Sequence, residues 1–302
     1  DSHGANGSGG VYGANNIKGA PQNKVEVDIF GTDPAETAGD YALFAVYGGG
    51  NAADYTYGNG YPKVTVSNCD NSIEYVYGGG NAAAVASTDV IIYGGNTIGN
   101  VFGGGNGISG TAADVNGNTN VLIAGGTIEH IFGGSNSKGN ITGTINVTVN
   151  KDLGGNCPIH IGEVYGGGNM ANSQAGTITI GCTGEAGETI DYVYGGANEA
   201  NITSGNITLN ITGGRINNVF GGNNTSGTIS GTITVNVDWS NSSCTANYLG
   251  NVFGGGNLAT YTAPSGNKKI CPLREQNKTH YKHQKSQYHI YHIPFLILSF
   301  IY

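Results

Sequence analysis

The chain has 302 residues, 55 of them glycine and 7 proline, with 11% charged residues and a net charge of −8. Glycine without a triplet period and with so little proline excludes collagen, and so low a charge content excludes long amphipathic helices. Residues 1–267 carry six cationic against nineteen acidic side chains, and residues 268–302 six against one; an acidic body excludes nucleic acid and anionic membrane surfaces, which select clustered basic residues.

No apolar run is long enough to span a bilayer. The first residue is Asp1, which reads as a processed chain or a fragment, so the missing leader does not argue against secretion. The five cysteines, Cys69, Cys157, Cys182, Cys244 and Cys271, have neither zinc nor redox spacing. Cys157 and Cys182 lie in successive repeats and are the one pair a disulfide could join; free buried thiols are the favoured reading.

Residues 1–16 read as the end of a repeat whose start is missing, with Ser8 at a place that is apolar in later copies. Residues 25–30, Val-Glu-Val-Asp-Ile-Phe, alternate as a strand does. A loop with Pro34 follows, then Leu43 and the segment Val46-Tyr47-Gly48-Gly49-Gly50-Asn51. That segment recurs, beginning at Val11, Val46, Val76, Val101, Ile131, Val164, Val193, Val219 and Val252. An aromatic comes second in every copy, from Tyr12 to Phe253, and an asparagine comes four residues after it. Each later unit places an Ile/Val strand first, as in Val64-Thr65-Val66, Val90-Ile91-Ile92 and Ile233/Val235/Val237. A turn follows, often Gly-Gly as at Gly94-Gly95, Gly125-Gly126 and Gly213-Gly214, and then Ile-x-x-Val and the motif. Ile141 and Ile229 hint at a third short strand.

A period of 25 to 35 residues with two or three short strands fits one coil of a stack. Propeller blades need longer units, and the scarcity of leucine excludes leucine-rich repeats. The predicted fold is therefore an all-β parallel β-helix of about nine coils over residues 1–267, followed by a basic, His-rich tail over 268–302. In such a stack Ile and Val form apolar ladders. The aromatics stack along the axis, facing the core or covering its edge. Asn51, Asn81, Asn106, Asn136, Asn169, Asn198, Asn224 and Asn257 turn inward to satisfy turn backbone and one another.

The units resemble those of right-handed parallel β-helix proteins, and the recurring Val-Tyr/Phe-Gly-Gly-Gly-Asn is similar to long repetitive cell-surface proteins of gut Bacteroidetes. The resemblance covers residues 11–257. It implies a secreted or surface-attached rod with an adhesin-like role, and it carries no catalytic residues.

Gly105–Gly110 matches a dinucleotide fingerprint in form, but a repeat turn rather than a helix follows, and the chain has no P-loop. No cofactor and no metal are expected; His280, His283, His289 and His292 in the tail are the only His-x-x-His spacing. Glu74, Glu129 and Asp191 precede the aromatic by three residues and Glu163 by two, with His130 beside them. Glu129, Glu163 and His130 are the candidate catalytic set of a polysaccharide lyase or hydrolase, the second reading of function. The first reading is a structural or adhesive solenoid binding a glycan or a host or cell-surface protein. Insertions at 31–42, 151–160, 181–189 and 238–248 fall at one point of successive coils and are expected to project from one face. Trp239 and Tyr248 there, and Tyr55, Tyr57 and Tyr61 after Asn51, are the candidate binding aromatics.

Overall fold

The computed structural model describes residues 9–32, 41–58 and 61–264. Ser8, Pro34, part of the first insertion and the whole His-rich tail lie outside the described residues. Among the described residues seventeen strands form two parallel sheets, and strands consecutive in sequence do not pair.

One sheet holds the nine odd-numbered strands: β1 (Gly10–Tyr12), β3 (Leu43–Tyr47), β5 (Ser72–Tyr77), β7 (Thr97–Phe102), β9 (Gly126–Phe132), β11 (Ile159–Tyr165), β13 (Thr189–Tyr194), β15 (Arg215–Phe220) and β17 (Tyr248–Phe253). The other holds the eight even-numbered strands: β2 (Glu26–Ile29), β4 (Lys63–Val66), β6 (Thr88–Ile92), β8 (Thr119–Ile123), β10 (Ile145–Val149), β12 (Thr177–Ile180), β14 (Ile207–Ile211) and β16 (Ile233–Val237). The third strand hinted at by Ile141 and Ile229 is a line of single bridges, Tyr55–Val85–Val115–Ile141 and Ser173–Ile202–Ile229. Strand, strand and bridge repeat in order, which makes the chain a parallel β-solenoid of about seven turns. The nine motif copies exceed the turns because β1 and β17 stand in incomplete coils at either end.

The even strands alternate regularly. In β10 Ile145, Val147 and Val149 are buried, whereas Asn146 and Thr148 are partly exposed. The odd strands break that alternation. Ile128 and Ile131, three apart, are both buried in the aliphatic core. Strict period two would send one of them outward, and the register skips the residue after the isoleucine in each pair, as between Ile161↔Ile128 and Glu163↔His130. The strand therefore bends between the two, and its outer face gains an extra residue per coil.

The aromatics form a second apolar file, separate from the aliphatic core. From Tyr12 to Phe253 neighbouring rings stack with centroids 4.6–5.3 Å apart. Tyr47 through Phe220 are buried, and only the end rings, Tyr12 and Phe253, are exposed. The first glycine after each aromatic is required by this stacking. A Cβ on Gly48, Gly78 or Gly103 would strike the carbonyl oxygen of the same glycine in the next coil. Beside the rings runs an amide ladder. Asn51 Nδ2 donates to Asn16 Oδ1, and each later asparagine donates to the one before it as far as Asn257, at 2.7–3.1 Å. These side chains sit half-exposed at the corner, not inside the coil as the sequence reading places them, because the buried space beside them is filled by the rings.

The cysteines pair as Cys69–Cys157 and Cys182–Cys244, not as Cys157–Cys182 and not as free thiols. Each pair skips coils. The loop with Cys157 runs back across the turns of the two preceding coils, and the carbons absent from Gly94 and Gly125 would collide with it. The loop with Cys244 runs across Gly213 in the same way. The Gly-Gly turns are thus floors beneath loops from other coils, and Gly126 and Gly214 have φ of 110° and 86°, where a side chain is strained. Lys151 pairs with Glu188, and Ser243 donates to Asp152, so the two stapled loops are tied to each other. The insertions at 151–160, 181–189 and 238–248 therefore lie along one corner as clamps and do not project freely from a face.

Candidate functional site on the outer wall of the nine-stranded sheet

One outward column on that sheet, five residues before the aromatic, holds Thr127, His160, Thr189, Arg215 and Tyr248, and the bend of the odd strands adds two more. One of these, two residues before the aromatic, reads Ala45 (itself buried), Tyr75, Asn100, His130, Glu163, Tyr192, Asn218 and Asn251, paired rung by rung. The other, one residue earlier, reads Phe44, Glu74, Gly99, Glu129, Gly162, Asp191, Asn217 and Gly250. In this second column Glu74, Glu129 and Asp191 stand on alternate coils with Gly99 and Gly162 between them. Two strand spacings put successive carboxylates roughly 10 Å apart along the rod.

The exposed aromatics of the wall are Phe44, Tyr192 and, at the start of β17, Tyr248, with Tyr75 half-buried. Phe44 meets the Tyr75 ring edge-on at 5.4 Å. Tyr41 lies over Gly99, whose absent Cβ would come 3.1 Å from the Tyr41 hydroxyl. Burial raises the Glu74 carboxyl above the usual range, against an opposing hydrogen bond from Tyr75. Its Oε2 is buried and takes no hydrogen bond. Burial also raises the Tyr41 phenol, helped by the charges of Glu129 and Glu74. Phe44, Tyr75 and Tyr192 are absent from the sequence-derived candidates, since their place inside an Ile-x-x-Val strand conceals that the strand bends. The Ile-x-x-Val spacing itself, incompatible with period two, was the available signal.

His130, Glu163 and Tyr165 are brought together. Glu163 Oε2 lies 3.4 Å from His130 Nε2 and accepts from the Tyr165 hydroxyl at 2.6 Å. Glu163 is therefore held by two neighbours, whereas Glu129, one coil away in the other column, is exposed. Farther along, Asn217 donates to Asp191 at 2.8 Å and Asn251 to Asn218 at 3.0 Å. The arrangement offers ring faces, carboxylates and amides along a line. Among the described residues no His, Cys, Asp or Glu group has the geometry to hold a metal ion.

Of the aromatics singled out in the sequence, Tyr248 stands on this sheet in β17, and the others take other places. Tyr55 is fully buried in the third wall, donating its hydroxyl to the Asn23 carbonyl at 2.7 Å, which removes it as a surface platform. Tyr57 packs against that same cluster. Tyr61 is exposed, with Asp89 raising its phenol by charge and hydrogen bond. Trp239 packs against the aliphatic core, and Tyr248 lies under the Arg215 guanidinium at 5.2 Å. Gly105–Gly110 forms a turn closed by an antiparallel bridge between Ile108 and Thr111, with no helix for a phosphate.

Fold and wall together define the class, a parallel β-solenoid with one aromatic and acidic outer face. Comparison with protein-family models, curated proteins and solved structures gives no match.

Proposed function

We propose that the protein is a secreted or cell-surface rod that binds an extended glycan along the outer wall of the nine-stranded sheet without cleaving it. The observation that carries this reading is the column of carboxylates on alternate coils, flanked by Phe44, Tyr75 and Tyr192. Ring faces stack on the apolar faces of sugars, while carboxylates and amides take their hydroxyls. A pitch of roughly 10 Å, from two strand spacings, is comparable to the disaccharide repeat of an extended β-1,4-linked chain. Shallow contacts repeated along a rigid rod add up through multivalency. Two disulfides favour an oxidising compartment, and the similarity of the motif to surface proteins of gut Bacteroidetes points the same way.

The enzyme reading draws on His130, Glu163 and Glu129. Against it, Glu163 is already engaged by Tyr165 and His130, which leaves Glu129 as the one unencumbered carboxylate of that set where glycoside hydrolysis uses two. A glycan array read together with release of reducing ends or unsaturated products separates the two. Retention of an intact polysaccharide is the expected result; product release abolished by Glu129→Gln would establish the enzyme instead.

A further inference from the structure

The acidic column of the wall contains two glycine notches, and they differ in one respect. Gly99 and Gly162 are both required by the bend, since a Cβ would stand 2.7 Å from the Glu74 carbonyl oxygen at the first and 2.6 Å from that of Glu129 at the second. Each therefore leaves bare backbone between two carboxylates, Glu74 and Glu129 in one case, Glu129 and Asp191 in the other. The chain fills the first notch itself. The Tyr41 hydroxyl and the ring carbon that bears it lie 3.1 and 3.4 Å from the absent Cβ of Gly99, and Gly99 is buried. At Gly162 only Glu129 backbone comes within 4 Å of that position, and Gly162 is partly exposed. Tyr41 thus shows what such a notch accepts, a hydrogen-bond donor carried on a ring and seated between carboxylates. The open notch is also the more acidic. Asn100 stands beside Gly99, whereas Glu163 stands beside Gly162, and its contacts to Tyr165 and His130 both use Oε2. Neither Glu129 nor Asp191 has an ion pair among the described residues. The exposed Tyr192 ring stands at the rim, next to Asp191. The nearest cations, His160 and Arg215, belong to the separate column five residues before the aromatic, where Arg215 lies against the Tyr248 ring.

We infer that the Gly162 notch takes the protonated amine of a hexosamine unit, so that the wall selects a deacetylated amino-sugar chain over a neutral chain of the same linkage. This rests on the glycan reading above and names the class of glycan. An ammonium brings three donors and a positive charge to Glu129, Glu163 and Asp191, which otherwise repel one another. A sugar hydroxyl or an acetamide N–H brings one donor and no charge. The Tyr192 ring at the rim gives the sugar carrying the amine a face to stack on. The same three carboxylates repel a chain of uronic acids, so the notch discriminates by charge in both directions.

Calorimetric titration of the full chain with three β-1,4-linked hexasaccharides tests the inference. Their units are glucose, N-acetylglucosamine and glucosamine, which differ only at C2, in a buffer that keeps exposed carboxylates ionised and the amines protonated. The glucosamine chain is expected to bind several-fold more tightly than the other two, as a partly exposed ion pair allows, with an advantage that shrinks as salt is added. Glu129→Gln and Asp191→Asn should each bring the affinities for the glucosamine and glucose chains together. Asp28→Asn removes the same charge from the exposed face of the eight-stranded sheet and should preserve the advantage. Circular dichroism confirms the fold of every variant. Equal affinity for the three chains overturns the inference and leaves the glycan reading standing. An advantage reduced as much by Asp28→Asn as by Glu129→Gln overturns it too, because overall charge then accounts for the preference. A glucosamine chain that does not bind also overturns it, and the glycan reading falls with it only if the array retains no polysaccharide.

Discussion

At the residue scale, one motif divides its work among three groups. The valine feeds the aliphatic core, the aromatic a separate stacked file, and the asparagine an amide ladder at the corner. Replacing Asn136 or Asn169 with leucine leaves neighbouring amides unpaired on both sides. This is expected to cost about 1–3 kcal/mol, read as a lowered melting temperature; an unchanged one would show that the ladder is ornamental. The buried tyrosines make a second prediction. Burial raises the phenols of Tyr47, Tyr77 and Tyr165 well above the ordinary value, and that of Tyr194 to about 12. A raised value means the fold keeps them neutral, so stability holds below pH 10 and falls as pH rises from there through the folded-state values. Ultraviolet titration should show these four ionising only with unfolding, while exposed tyrosines titrate earlier. The ring and amide ladders were legible in the sequence because position repeats when coils stack. The burial of Tyr55 was not, since its column partners are Val85, Val115 and Ile141, and no aromatic repeats there to mark the register.

At the scale of elements, the bend in the odd strands and the loops at the opposite corner shape the surface. The sequence shows the even strands plainly, because Ile and Val alternate with Thr and Asn. It conceals the bend, which places Tyr75 and Tyr192 outside while Ile73 and Val76 stay inside. It also conceals the loop paths. Cysteines in adjacent repeats seem natural partners, yet Cys157 and Cys182 each reach past intervening coils, over turns whose glycines make room. Sequence separations of 88 and 62 make both disulfides strong constraints on the unfolded chain. Removing either with a Cys→Ser pair is expected to cost about 2–5 kcal/mol by chemical denaturation; equal midpoints for variant and wild type would contradict the clamp. Burial alone would raise the Glu188 carboxyl, but Lys151 and the backbone N–H groups of Glu185 and Ile159 outweigh it and hold the group below its ordinary 4.5. Stability from this contact is therefore present above pH 4.5 and lost as pH falls through the lower folded value. Glu188→Gln should lower the melting temperature at neutral pH and flatten its decline in acid; a variant curve parallel to wild type would exclude the contribution.

At the scale of the molecule, the solenoid converts a repeat in sequence into straight columns in space. Side chains that are 25 to 35 residues apart become neighbours at one strand spacing. Function is then read down the columns, not along the chain. Glu74, Glu129 and Asp191 look scattered in sequence, but in the rod they form a line with ring faces beside it. Sequence reasoning recognised the acids and, Tyr248 apart, located the aromatics elsewhere, since only the fold shows which positions share a wall. The central claim is that this wall holds an extended glycan. Affinity electrophoresis in gels containing a polysaccharide retained on the glycan array tests it most directly, comparing wild type with Phe44→Ala, Tyr192→Ala and the double variant. Each ring is expected to contribute about 1 kcal/mol, so the dissociation constant should rise several-fold per ring, with folding unchanged. Equal retention of wild type and double variant, or loss of retention only on replacing Tyr61 or Trp239, would contradict the account.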